Sequence, residues 1–320
     1  MLGSSFAVIL PVLFVIALGY WAGRAKRFDA DQVQGVNDLV VDYALPALMF
    51  VGIASTSESL LSAEASFMLT LFVAFAGFYV VVLLIGIGVL RHSIGAAALQ
   101  ACSVSFPSVA FMGVPIFEGL MGQSSLLSVS AANAIGILVV VPATVVLLEA
   151  DARRGKAAGP AGSEFASRNI IATALLSSLK KPVVWVPLVS FALVLSRVRV
   201  PAEIDDMVKL IGQTTSGVAL FASGLVLAAY KLKLNVEVLG NVAAKMFAQP
   251  IAAVLLVSIF AVEGSLAREA ILICALPTAV FPTLIAPRYG VYVRECASTL
   301  ILTTLAMIVV LPAAILITGG

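Results

Sequence analysis

Ten apolar runs follow one another along this chain, at residues 3–23, 33–54, 65–90, 95–121, 124–148, 174–196, 204–228, 236–262, 267–290 and 295–317. Each is about 20 residues or longer, the length of helix that crosses about 30 Å of hydrocarbon. No soluble domain of 320 residues hides so much apolar surface: 61% of the residues are hydrophobic and 11% charged. In lipid each backbone N–H and C=O needs a partner inside the protein, and helices supply it locally. The expectation is an all-α polytopic membrane protein of ten spans. The N-terminus has no basic n-region or A-x-A-like cleavage site, so the first run reads as a retained span, not a signal peptide.

The basic residues orient the spans. Arg24, Lys26, Arg27, Arg91, Arg153, Arg154, Lys156, Arg168, Lys180, Lys181, Lys231, Lys233, Arg288 and Arg294 fall on the odd-numbered connections; Arg197, Arg199 and Arg268 fall on the other side. The positive-inside rule then puts both termini outside the cytoplasm and the central 149–173 loop within it, as expected of an inner (plasma) membrane protein. That loop, rich in Gly, Ala and Arg, reads as a flexible linker. It separates residues 1–148 from 174–320, and "NIIATALLSSLKK" reads as an amphipathic lead into span six.

The two halves repeat. At a shift of 170 or 171 residues Pro11 falls on Pro182, Pro107 on Pro277, Ser108 on Thr278, and "VVVPA" (139–143) on "VVLPA" (309–313). Each half holds five spans, an odd number, so the second enters the membrane from the opposite side. Such inverted repeats are a common construction of secondary transporters. Pro107 and Pro277 lie near the middle of spans four and nine. Proline removes an N–H and clashes with the carbonyl four residues back, and broken backbone at that depth is tolerated only inside protein or beside a cavity. Two breaks related by an in-plane two-fold are expected to cross at the midplane. Their N–H groups and helix N-termini would favour an anion.

Polar groups inside spans mark further candidates. Asp38 and Asp42 share one face of span two, and Asp42, the deeper, suits proton coupling, an ion pair or a gate. Lys245 lies about one third into span eight, where it attracts an anion, pairs with a carboxylate or snorkels outward. Gln213 and Thr215, in "QTTS", supply an amide and a hydroxyl as span seven nears the crossover, though such groups also join helices. Glu118 and Arg288 are repeat mates suited to gate or surface roles. His92 has no assigned role. Cys102, Cys274 and Cys296, odd in number and set in apolar runs, read as reduced filler rather than a disulfide or metal site.

"LVVDYALPALMF" (39–50), "FPSVAFMGVPI" (106–116), "GVALFASGLVLA" (217–228), "KMFAQPIAA" (245–253) and "ALPTAVFPTLIAPRYGV" (275–291) together resemble the auxin efflux carrier family, whose bacterial members include malonate transporters. The resemblance implies two inverted five-helix repeats, with spans one, two, six and seven as a scaffold. Spans three to five and eight to ten would form a transport domain, crossing at spans four and nine. It also implies a homodimer that moves small organic carboxylates by an elevator-like shift. The family usually has Asn directly after the proline of span four; this chain has Ser108, which offers a hydroxyl but not an amide's two donors. Asn133 on span five matches the family's polar position facing the crossover.

Function classes narrow accordingly. Without a G-x-x-x-x-G-K-[ST] sequence, transport would run on a gradient or exchange, with a proton or sodium ion as possible coupling partner. An intramembrane enzyme is disfavoured: there is no H-E-x-x-H, no metal cluster and one histidine. No cofactor and no nucleic-acid partner are expected. The substrate-binding set is Pro107, Ser108, Pro277, Thr278, Asn133, Thr215 and Gln213, with Asp42 and Lys245 in coupling or gating. A channel or a receptor for a small organic anion is the alternative.

Overall fold

The computed structural model describes residues 2–54, 65–122, 125–157, 176, 179–196, 198, 200–229 and 232–318. Helices run in the order α1 (Leu2–Arg24), α2 (Ala30–Leu39), α3 (Leu45–Ala54), α4 (Ala65–Phe72), α5 (Phe78–Gly88), α6 (Ile94–Ser105), α7 (Val114–Met121), α8 (Leu126–Ile135) and α9 (Val141–Ala157) in the first half. The second half holds α10 (Pro182–Leu195), α11 (Ala202–Gly212), α12 (Thr215–Ala229), α13 (Val236–Ala243), α14 (Gln249–Ile259), α15 (Gly264–Cys274), α16 (Phe281–Tyr289) and α17 (Val293–Ile317). Single wider π turns at Val40–Ala44, Val73–Gly77, Gly136–Val140 and Ala244–Ala248 join α2 to α3, α4 to α5, α8 to α9 and α13 to α14. Among the described residues there is no β-strand, only one isolated bridge.

Among the described residues five stretches are long and apolar enough to cross a membrane: Ala65–Gly88, Ala131–Arg154, Glu203–Ala229, Val236–Ile259 and Val293–Ile317. The fourth and ninth apolar runs are not continuous helices. α6 ends at Ser105 and α15 at Cys274, and each run resumes as helix only after an extended step. Helix starts follow the sequence. Asp29 and Gln32 form a capping box for α2, and Ser93 and Asn235 accept a first-turn N–H at the starts of α6 and α13. α9 continues to Ala157, past the expected boundary at 148, because "EADARRGKA" is good helix-forming sequence. Residues 158–175, and with them most of the linker and of "NIIATALLSSLKK", lie outside the described residues.

Packing follows from small residues. α1 lies along α12. A Cβ on Gly19 would sit 2.1 Å from the Phe221 carbonyl oxygen, and one on Gly224 2.2 Å from that of Ile16. The two backbones touch, the close approach that glycine permits in lipid. α10 and α11 pack on α3. Every residue from Gly95 to Val109 and from Leu272 to Ala286 is buried, so the two interrupted runs form the centre of the molecule. The described ion pairs gather at the other extreme. In His92–Glu237, Lys181–Glu149, Lys233–Glu295 and Arg288 with Asp38 and Asp42, the basic partner comes from a basic connection or from the helix end next to it. Tyr292, in the connection before α17, donates to Glu237; burial first, and then that carboxylate, push its phenol above the ordinary tyrosine range.

Candidate functional site: the paired breaks

The two breaks meet. The Ser108 N–H donates to the Pro277 carbonyl at 2.8 Å and the Ala279 N–H to the Phe106 carbonyl at 2.8 Å, an antiparallel bridge between 106–108 and 277–279. Two N–H groups that the sequence left free for a ligand thus satisfy each other's chain, as buried backbone groups must. Three carbonyls near the breaks find side-chain donors. Pro107 cannot serve Ser103, four residues back; the Thr278 hydroxyl donates to that carbonyl instead. The Ser105 carbonyl accepts from Gln249 Nε2 at 2.6 Å and the Cys274 carbonyl from Lys245 Nζ at 3.3 Å. The Thr278 N–H reaches Thr303 Oγ1 at 3.3 Å.

Above the bridge lies a small cavity of about 30 Å³, room for a water or two. Leu45, Leu48 and Met49 of the second run wall it on one side; Phe106, Pro107, Ser108, Val109 and Ala279 of the breaks form its floor. Asn133 and Ile137 close it from the fifth run. Its polar groups are the Ser108 hydroxyl, buried and without a hydrogen-bond partner, and the half-buried Asn133 amide. Gly136 lets the Phe106 ring lie against the helix, since a Cβ there would fall 2.0 Å from a ring carbon.

Of the expected site residues, the structure gathers Pro107, Ser108 and Asn133 at this cavity and Pro277 at the bridge. Thr278 adjoins them, but its hydroxyl is engaged with Ser103. Thr215 is buried with an unpartnered hydroxyl and Gln213 is exposed in the turn before α12; neither lines the cavity. Asp42 accepts from Arg288 Nη1 at 2.7 Å and Nη2 at 2.9 Å, and Nη2 also reaches Asp38 at 2.7 Å. Asn37 Nδ2 donates to the Leu284 carbonyl at 2.6 Å, a second tie between α2 and α16. The Glu118 side chain lies outside the described residues.

Sequence reading missed Gln249. The signal was present: Gln249 follows Lys245 by four residues, the spacing that stacks side chains on one helix face. It also missed Glu269, buried on α15, and the chain Gln100–Asn241–Tyr292, bonded at 2.9 and 3.0 Å. Those links connect residues 51 to 141 positions apart and leave no local pattern.

Apolar helices, two of them broken where they cross, around a cavity with one hydroxyl and one amide, define a membrane-embedded protein of the transporter class. The chain belongs to the family described as "Membrane transport protein", the auxin efflux carrier family, whose profile matches residues 4–315. It is 30% identical over 306 residues, 95% of this chain and 94% of the relative, to "Uncharacterized transporter YfdV" of Escherichia coli (strain K12). The relative of the same name from Shigella flexneri matches equally. A protein of Rhizobium meliloti (strain 1021) named "Putative malonate transporter" is 25% identical over 305 residues, 93% of this chain and 91% of that one.

Proposed function

We propose that this protein is a secondary active transporter of a small organic anion, a dicarboxylate such as malonate or malate or another carboxylate. The anion is held beside the paired breaks, against Ser108 and Asn133. The observation that carries the reading is the 106–108/277–279 bridge beneath a cavity whose buried Ser108 hydroxyl has no protein partner. A buried hydroxyl left unpaired costs about 1–3 kcal/mol, and a ligand that pairs with it recovers that cost. The relative's name supports malonate as the first substrate to try.

An inverted repeat of ten spans supports alternating access, and the backbone supports the repeat. α4, its π turn and α5 cover 65–72, 73–77 and 78–88; α13, its π turn and α14 cover 236–243, 244–248 and 249–259, each bound displaced by 171. The left-handed residues Arg91 and Gly122 correspond at a shift of 170 to Ala261 and Tyr292, also left-handed. In this reading spans one, two, six and seven are the scaffold, and spans three to five and eight to ten move against it as an elevator in each protomer of a homodimer. Asp42, clasped by Arg288 across that boundary, acts as a gate on the basic, cytoplasmic side. The cavity is too small for a dicarboxylate, so the anion enters only when the α3 wall separates from the breaks.

The test is uptake of labelled malonate and malate into proteoliposomes. Saturable flux accelerated by unlabelled substrate inside is the expected result. Ohmic flux without counterflow would make the protein a channel, and binding without flux a receptor.

A further inference from the structure

Lys245 is the one basic side chain with no exposure among the described residues, and it lies in the π turn between α13 and α14. Its Nζ donates to Gln249 Oε1 at 2.5 Å and to the Cys274 carbonyl at 3.3 Å. Gln249 turns its amide nitrogen the other way, to the Ser105 carbonyl at 2.6 Å and the Ala74 carbonyl at 3.2 Å. Ser105 and Cys274 are the last residues of α6 and α15. The C-terminal, electronegative ends of both half-helices therefore converge on one ammonium and one amide. Among the described residues no carboxylate lies within ion-pair distance of Nζ, so its described acceptors are backbone and amide oxygens alone.

Oxygen dipoles at helix C-termini, deep in protein and without a carboxylate, are the surroundings that bind an alkali cation in broken-helix transporters. We infer that the Lys245 ammonium occupies a monovalent-cation site formed by the Cys274 carbonyl and Gln249 Oε1, and that removing the side chain opens this site to a free small cation. The ligand class is an alkali ion or a primary alkylammonium. The wild-type protein carries its cation covalently and has no need of a dissolved one there. The claim is independent of the cargo, and its test does not involve transport.

Wild-type protein, Lys245→Ala and Lys245→Met are purified, and thermal unfolding is followed in N-methyl-D-glucamine, sodium, potassium and ethylammonium chlorides at equal ionic strength. The wild type should unfold at one temperature in all four. Lys245→Ala should unfold about 5 °C or more lower in N-methyl-D-glucamine and recover, saturably, in ethylammonium or an alkali chloride. Lys245→Met, whose side chain fills the space without charge, should fall and not recover. Lys245→Ala or Lys245→Met as stable as wild type in N-methyl-D-glucamine overturns the inference, as does a destabilised Lys245→Ala that responds to no cation. Should Lys245→Ala be recoverable only when extracted in ethylammonium or an alkali chloride, the site is supported; failure in every cation counts against it.

Discussion

Single residues set the chemistry of the site. Ser108 and Asn133 are the polar groups of the cavity, one hydroxyl and one amide facing an otherwise apolar wall. A hydrogen bond to a charged ligand contributes about 1.5–3 kcal/mol. Ser108→Ala and Asn133→Leu should therefore each raise the malonate Kd about 10- to 100-fold in isothermal titration, and Ser108→Ala should not lower the unfolding temperature of the ligand-free protein, since it removes an unpaired buried hydroxyl. Ser108→Asn, which restores the residue usual in the family, is expected to keep binding. The Arg288 fork is a separate residue-scale feature. Its guanidinium spans Asp38 and Asp42 and is largely shielded from solvent. A double-mutant cycle of Arg288→Gln with Asp42→Asn should give a coupling of about 1 kcal/mol in thermal unfolding; zero coupling would reduce the pair to surface charge. Asp42 was legible as a polar residue inside a span. Its partner, 246 positions away, was not, because no local pattern encodes that distance.

Elements, rather than residues, make the crossover. The sequence carried the break itself, since proline at mid-span has a fixed local consequence. What it did not carry was the bookkeeping of the freed backbone: the expectation of N–H groups open to a ligand gave way to N–H groups paired between 106–108 and 277–279. The side chains that complete the pairing come from two places in the chain, Thr278 from the second break itself and Lys245 with Gln249 from one helical stretch of the eighth run. Replacing both Pro107 and Pro277 by Ala should let the helices run on, break the bridge and abolish malonate binding while membrane insertion persists; normal binding by that folded variant would refute a crossover site. Helix contacts give a second element-scale prediction. Gly136→Ala drives a methyl into the Phe106 ring. It should lower the unfolding temperature, and Phe106→Leu in the same chain should restore part of the loss. An equal loss with and without Phe106→Leu would mean that the ring is not what Gly136 accommodates.

At the scale of the molecule, the apolar runs were enough to foresee a helical membrane protein, and the two mid-run prolines a meeting of two breaks. Which faces pack was not legible, because transmembrane sequence is apolar on lipid-facing and protein-facing sides alike. The glycines did mark one seam, between α1 and α12. Widening it should force the two helices apart. Gly19→Leu or Gly224→Leu should lower the unfolding temperature and slow malonate uptake together, and unchanged uptake would deny that this seam supports the working fold. The central claim is that two interrupted helices pair at mid-depth and hold an anion beside Ser108 and Asn133. The most direct measurement is a cryo-EM map of the protein in lipid nanodiscs with saturating malonate. The account predicts extended backbone at 106–108 and 277–279 with ligand density between Ser108 and Asn133; unbroken rods through residues 100–120 and 270–288, or density elsewhere, would contradict it.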